Sequence, residues 1–95
     1  MSEQDDLLTV KIGPSLTLKN VAAFYEELAE VKDREVTKLV FDSALNEEID
    51  FAGTQTLAAF YEHMTSRGTK ISWDNPSIAI FEKTVELGMD EALGL

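Results

Sequence analysis

The chain has no cysteine, which excludes disulfides, thiolate catalysis and cysteine-based metal sites. It has a single histidine, His63. A metal centre would therefore need carboxylates alone, and one imidazole with scattered hydroxyls does not make up a nucleophile–base–orienter set. No apolar run approaches the roughly 20 residues that a membrane span requires. The start, MSEQDDLL, lacks both the basic region and the apolar core of a signal peptide. A cytoplasmic protein is the simplest expectation. Positive charge is scarce as well. Eight Lys and Arg stand against 18 Asp and Glu, for a formal net charge of −10. Such a surface repels nucleic acid and anionic lipid and attracts a basic partner protein. It also serves solubility without any partner at all.

What is present fits one domain. Ninety-five residues allow a single compact unit with a small core and marginal stability. A hydrophobic content of 44% is enough for that core, so only the short polar stretch 1–6 is expected to be a flexible tail.

Hydrophobic period then divides the chain. Leu8, Val10 and Ile12 alternate with polar residues, as in a half-buried strand. Gly13-Pro14 breaks it, and residues 15–18 alternate again. Val21, Phe24, Tyr25 and Leu28 recur at i, i+3, i+4 and i+7, the stripe of an amphipathic helix, with Asn20 placed to cap it. Residues 36–41 read as a central strand and residues 42–49 as a polar loop. A second helix carries Leu57, Phe60, Tyr61 and Met64 on its apolar stripe and closes at Arg67-Gly68. Residues 69–73 form another strand. Trp73 and Ile71 share one face of it, as core residues would. Asn75-Pro76 is placed as cap and first residue of a third helix, whose apolar stripe is Ile78, Phe81 and Val85 and whose end is Gly88. Residues 89–95 are left to dock as a final turn or strand.

The order β-β-α-β-α-β-α calls for parallel pairing with right-handed crossovers. The expected architecture is α/β, a small mixed and mostly parallel sheet with helices packed on it. Sites in open α/β sheets form beyond the carboxyl ends of the strands. Here that end gathers residues 18–20, Asp42 and Ser43, Asp74 and Asn75, and the whole segment 42–53. Within it, Asp50 stands where a carboxylate caps the second helix and meets its dipole. Gly53 allows a tight turn or the close approach of another backbone. The carboxylates Asp42, Glu47, Glu48 and Asp50 crowd the same segment, yet the spacing and glycine of an EF-hand are missing. A solvated acidic loop that meets a basic patch is the plainer reading. No cofactor is implied.

From Leu8 onward the pieces, in this order and spacing, resemble a STAS domain. This is the fold of bacterial anti-sigma-factor antagonists, and it also occurs in sulphate transporters. The resemblance is carried by the strand 36–42, the turn Ile49-Asp50-x-Ala52-Gly53 and the Leu57/Phe60/Tyr61 helix. It continues through Arg67-Gly68-x-Lys70-Ile71, Asn75-Pro76-Ser77 with Phe81, Leu87-Gly88-Met89 and the ending Glu91-Ala92-Leu93-Gly94-Leu95. It implies a binding module and not an enzyme. In well-understood members, a kinase that is also an anti-sigma factor phosphorylates a Ser or Thr in the turn before the glycine. The unphosphorylated form binds that kinase and frees the sigma factor.

This chain has Ala52 and Phe51 at the two hydroxyl positions, and neither accepts a phosphoryl group. Thr54 and Ser43 are the nearest hydroxyls and become the candidate phosphorylation sites. Thr54 is equally an ordinary polar residue of a first helical turn. The expected partner-binding set is Asp42, Ser43, Asp50, Phe51, Ala52, Gly53, Thr54 and Gln55. Phe51 is either an exposed anchor or buried under the loop. The outer stripe Gln55, Ala59, Glu62 and Ser66 is small and polar, which suits close docking. The resemblance implies regulatory partner switching with a kinase or anti-sigma factor. The alternative is a constitutive STAS subunit that holds the ATPase of a phospholipid-transport ABC complex, or a STAS protein linked to chemotaxis-type signalling. The missing hydroxyl fits the constitutive subunit better.

Overall fold

The structure is a computed structural model that describes residues 7–95. The tail expected at residues 1–6 lies outside the described residues. The elements are β1 (Leu7–Lys11), β2 (Ser15–Leu16), α1 (Val21–Lys32), β3 (Lys38–Asp42), β4 (Glu48–Ile49), α2 (Phe51–Ser66), β5 (Lys70–Asp74) and α3 (Ile78–Glu86). A 3₁₀ turn, Glu91–Leu93, follows. The chain is thus an α/β fold with the element order expected from its periodicity, plus one short strand, β4, inside the segment read as loop.

Every pairing among the described strands is parallel. β1, β3 and β5 form a three-stranded sheet with β3 in the centre, and β2 and β4 form a separate two-stranded ribbon. The register aligns Leu8 with Leu39 and Ile71, and Val10 with Phe41 and Trp73. These rows face the helices, and Leu39 and Phe41 are fully buried. The rows between them carry Lys38 with Lys70, Val40 with Ser72, and Asp42 with Asp74. Parallel sheets are usually covered on both faces. Among the described residues this one is covered on one face only, and β3 accordingly alternates between buried and more exposed residues.

α2 packs against α1, α3, β4, β5 and the 3₁₀ turn, so it is the central helix. Its stripe is as read: Leu57, Phe60 and Met64 are buried and Tyr61 is half-buried. Phe41 joins sheet to helix, with its ring 6.0 Å from Phe60 and 4.8 Å from Trp73. Trp73 also donates its Nε1–H to the Leu93 carbonyl at 2.8 Å, which fastens the last turn to the sheet. Gly68 closes α2 at φ 95°, in the left-handed region that only glycine adopts without strain.

Three local expectations are corrected. Asn20 precedes α1, but its side chain accepts from Thr17 N–H at 2.8 Å and closes the preceding turn instead of capping the helix. α3 starts later than Asn75-Pro76 suggests. Its cap is Ser77, whose Oγ accepts from Ile80 N–H at 3.1 Å, while Asn75 takes a left-handed turn at φ 53°. The stripe Ile78, Phe81 and Val85 is not the buried face of α3. Those residues are exposed, and Ile80 and Thr84 are the buried ones. Thr84 satisfies its hydroxyl on the Phe81 carbonyl at 3.0 Å, so its burial leaves no donor unpaired.

Candidate partner-docking site

The site is built at the entry to α2. Asp50 caps the helix in an extended backbone conformation, and its Oδ1 accepts from Gly53 N–H at 3.0 Å. Its Oδ2 accepts from Leu18 N–H at 2.9 Å, 32 residues back in the chain. One carboxylate thus caps a helix and clamps the turn between β2 and α1. The Gly53 hydrogen bond first, then that from Leu18, hold its pKa below the ordinary 3.8, because both donors favour the charged form. The ribbon brings Leu16 to Ile49, and Asp50 N–H donates to the Leu16 carbonyl at 3.3 Å.

Gly53 is buried against that same strand. A Cβ there would run into the Leu16 carbonyl oxygen and lie 2.9 Å from Leu16 Cγ. Of the two roles read for this glycine, close backbone approach is the one the geometry uses. Thr54 is fully buried, and its Oγ1 donates to the Asp50 carbonyl at 2.9 Å. Ala52 is half-buried. Phe51 is 54% exposed, which settles its orientation in favour of solvent. Leu18, on the other side of the clamp, is 74% exposed. It belongs to the residues 18–20 expected at this end of the sheet, but lies outside the expected partner-binding set.

A family model described as "Mlab, STAS domain" matches residues 1–95. The chain belongs to the STAS family. A crystal structure of a sulfate transporter family protein from Wolinella succinogenes superimposes on it with a TM-score of 0.77 at 21% identity, covering 94% of this chain and 72% of that one. The structure of SLC26A9 does so with a TM-score of 0.72 at 15% identity, covering 93% of this chain and 17% of that one. At such identities the likeness shows the fold. No curated protein matches the chain.

In this STAS domain the segment after β3 is tied down by its own side chains. Asp42 Oδ1 accepts from Ala44 N–H at 3.2 Å. Ser43 is fully buried; its Oγ donates to the Asn75 carbonyl at 3.5 Å and accepts from Ser77 N–H at 3.2 Å. It joins the carboxyl end of β3 to the entry of α3. Ser43 and Thr54 are therefore internal struts in this fold, whereas both were expected on the docking surface. Asn46, in the same segment but outside the expected partner-binding set, is buried and donates to the carbonyls of Gly13 at 2.9 Å and Glu48 at 3.2 Å.

Among the described residues the acidic side chains do not converge. Asp42 and Asp50 serve backbone N–H groups, and Glu48 accepts from Ser15 Oγ at 3.1 Å. Among the described residues, no group of three His, Asp or Glu is arranged to hold a metal ion. No helix of the described residues is long and apolar enough to cross a membrane. His63 supports the helices: its Nε2 lies 3.3 Å from the Lys32 carbonyl at the end of α1, and Arg67 donates to the same oxygen.

The outer stripe of α2 is exposed at Gln55, Ala59, Glu62 and Ser66, as read. Gln55 and Ala59 form a low ridge between two grooves. One, about 310 Å³, lies against α1 and is lined by Tyr25, Leu28 and Phe60; the Lys32 Nζ sits 5.7 Å over the Tyr25 ring. The other, about 570 Å³, runs along Tyr61 and Thr65 to Ala92. Tyr25 is 54% exposed here and not part of the buried stripe of α1. Asp50 thus holds two apolar side chains, Leu18 and Phe51, at the head of a smooth helical ridge. That arrangement suits the docking of another protein.

Proposed function

We propose that this STAS domain is a constitutive docking subunit. It binds a protein partner through Leu18, Phe51 and Gln55, without phosphorylation at the turn and without catalysis of its own. The observation that carries this reading is a contrast in exposure. The two apolar side chains flanking Asp50 stand in solvent, while both candidate hydroxyls, Thr54 and Ser43, are fully buried and hydrogen-bonded. A kinase would have to unwind the first turn of α2 to reach Thr54. The Asp50 clamp and the Leu16–Ile49 pairing oppose that opening.

The family description and the missing hydroxyl at Ala52 both favour the ATPase of a phospholipid-transport ABC complex as partner, in the cytoplasm. Partner switching with a kinase or anti-sigma factor is the competing mode. Affinity capture from the native cell, with partners and phosphosites read by mass spectrometry, separates the two. The expected result is an ABC ATPase with no phosphate on Thr54 or Ser43, and loss of that ATPase in Phe51→Ala. Stoichiometric phosphate on either hydroxyl, with an anti-sigma factor recovered, would establish switching instead. Thr54→Glu is the wrong mimic for this purpose. It places a charge in the core and loses binding by unfolding the turn.

A further inference from the structure

The outward stripe of α3 is a second apolar surface, outside the Asp50 turn. Ile78 is 76% exposed, Phe81 51% and Val85 48%. At i, i+3 and i+7 they lie along one side of the helix. Its packed side is a different stripe, Ile80, Thr84 and the half-buried Leu87. A helix that is apolar on two sides is ordinarily covered on both. Beside the stripe runs a groove of about 620 Å³ between the entry of α3 and the segment after β3. Ala44, Pro76 and Ala79 give it an apolar lining, and Glu47 and Glu82 bring carboxylates to it. Lys83 is the cation of α3, and it lies 3.2 Å from the Glu86 carboxylate in an ion pair.

We propose that this face docks a short basic amphipathic helix of a partner protein. The partner's apolar side chains lie on Ile78, Phe81 and Val85, and its Lys or Arg side chains meet Glu82 and Glu47. Charge and size choose this occupant. A second copy of the chain would bring −10 against −10. Three side chains on a nine-residue helix also fall short of the roughly 800 Å² per partner of a standard interface. An anionic lipid surface is repelled by the same carboxylates. A single helix with one apolar stripe needs no more than the strip that α3 offers, and its cationic side chains are what the rim lacks.

The inference is independent of docking at the Asp50 turn, and its test keeps the two apart. The full chain with Phe81→p-benzoylphenylalanine is expressed in its native cell and irradiated, and the adduct peptide is sequenced. The expected adduct is a Lys- or Arg-rich helical segment of another protein. That segment, made as a labelled peptide, then binds the purified chain in fluorescence anisotropy. Affinity falls at least tenfold in Ile78→Ser and severalfold in Glu82→Gln, and it is unchanged in the exposed α1 variant Glu26→Gln. Ile78 is the most exposed of the three, so its variant folds, which circular dichroism checks. An adduct on a second copy of this chain, on lipid, or on a segment without basic residues overturns the inference. So does peptide binding that survives Ile78→Ser and is lost in Phe51→Ala, a result that leaves docking at the Asp50 turn standing.

Discussion

At the residue scale, Asp50 and Gly53 do different work within one turn. The Asp50 carboxylate is stabilised in its charged form by N–H donors from Gly53 and Leu18, so its pKa is lower folded than unfolded. A lowered folded pKa gives stability that is complete above the unfolded value near 3.8 and fades as pH falls through the folded one. Urea midpoints of wild type and Asp50→Asn should therefore differ most at neutral pH and converge as pH falls below 3.8. A gap that is constant with pH would assign the effect to shape and not to charge. Gly53 tests packing. Alanine gains about 1 kcal/mol of helix propensity over glycine. Its Cβ nevertheless meets Leu16 backbone and side chain, and overpacking of that kind costs about 1–3 kcal/mol. Gly53→Ala is expected to lower the urea midpoint; a raised midpoint would show that β2 yields freely. Asp50 and Gly53 were both legible as a helix entry, because caps and glycine turns depend on residues only three positions apart. Leu18, the far end of the Asp50 clamp, was not, since nothing local marks a partner 32 residues away.

At the element scale, α3 separates two readings of the same residues. Its cap is Ser77, and Asn75 merely turns the chain at φ 53°. Ser77→Ala should cost about 1 kcal/mol in thermal or urea melts, the usual loss for a cap. Asn75→Gly should cost nothing, because glycine adopts that φ more easily than asparagine. The reverse order would restore Asn75 as the cap. The same helix shows why its pattern alone does not give its buried face. Ile78/Phe81/Val85 and Ile80/Thr84/Leu87 are both helical stripes. Apolar content favours the first, but β4 and α2 cover the second. Thr84 tolerates that burial because the Phe81 carbonyl takes its hydroxyl. Helix α2 was read correctly for the opposite reason: only one of its sides, Leu57/Phe60/Met64, is large and apolar.

At the scale of the whole molecule, charge predicts how binding responds to salt. With a net charge of −10, association with a basic partner is accelerated by long-range attraction. The screening length shrinks from about 10 Å at 0.1 M salt to about 3 Å at 1 M. The on-rate measured by surface plasmon resonance should fall across that range, while the off-rate, held by Leu18 and Phe51, changes little. An on-rate that is flat with salt would assign the acidic surface to solubility alone.

The sequence by itself determined the α/β class and the order of the main elements, and it pointed to the carboxyl ends of the strands as the place to look for a site. These rest on hydrophobic period, caps and breakers, which act between residues four or fewer positions apart. It also carried the family pattern, since that is an order of short local pieces. Only the tertiary structure decided which side of α3 is covered, that Phe51 faces solvent, and that Thr54 and Ser43 do not. It alone joined Asp50 to Leu18 and Ser43 to Ser77. The physical reason is common to all of these. Burial and long-range hydrogen bonds depend on strand register and helix packing, which bring together residues that no local pattern relates.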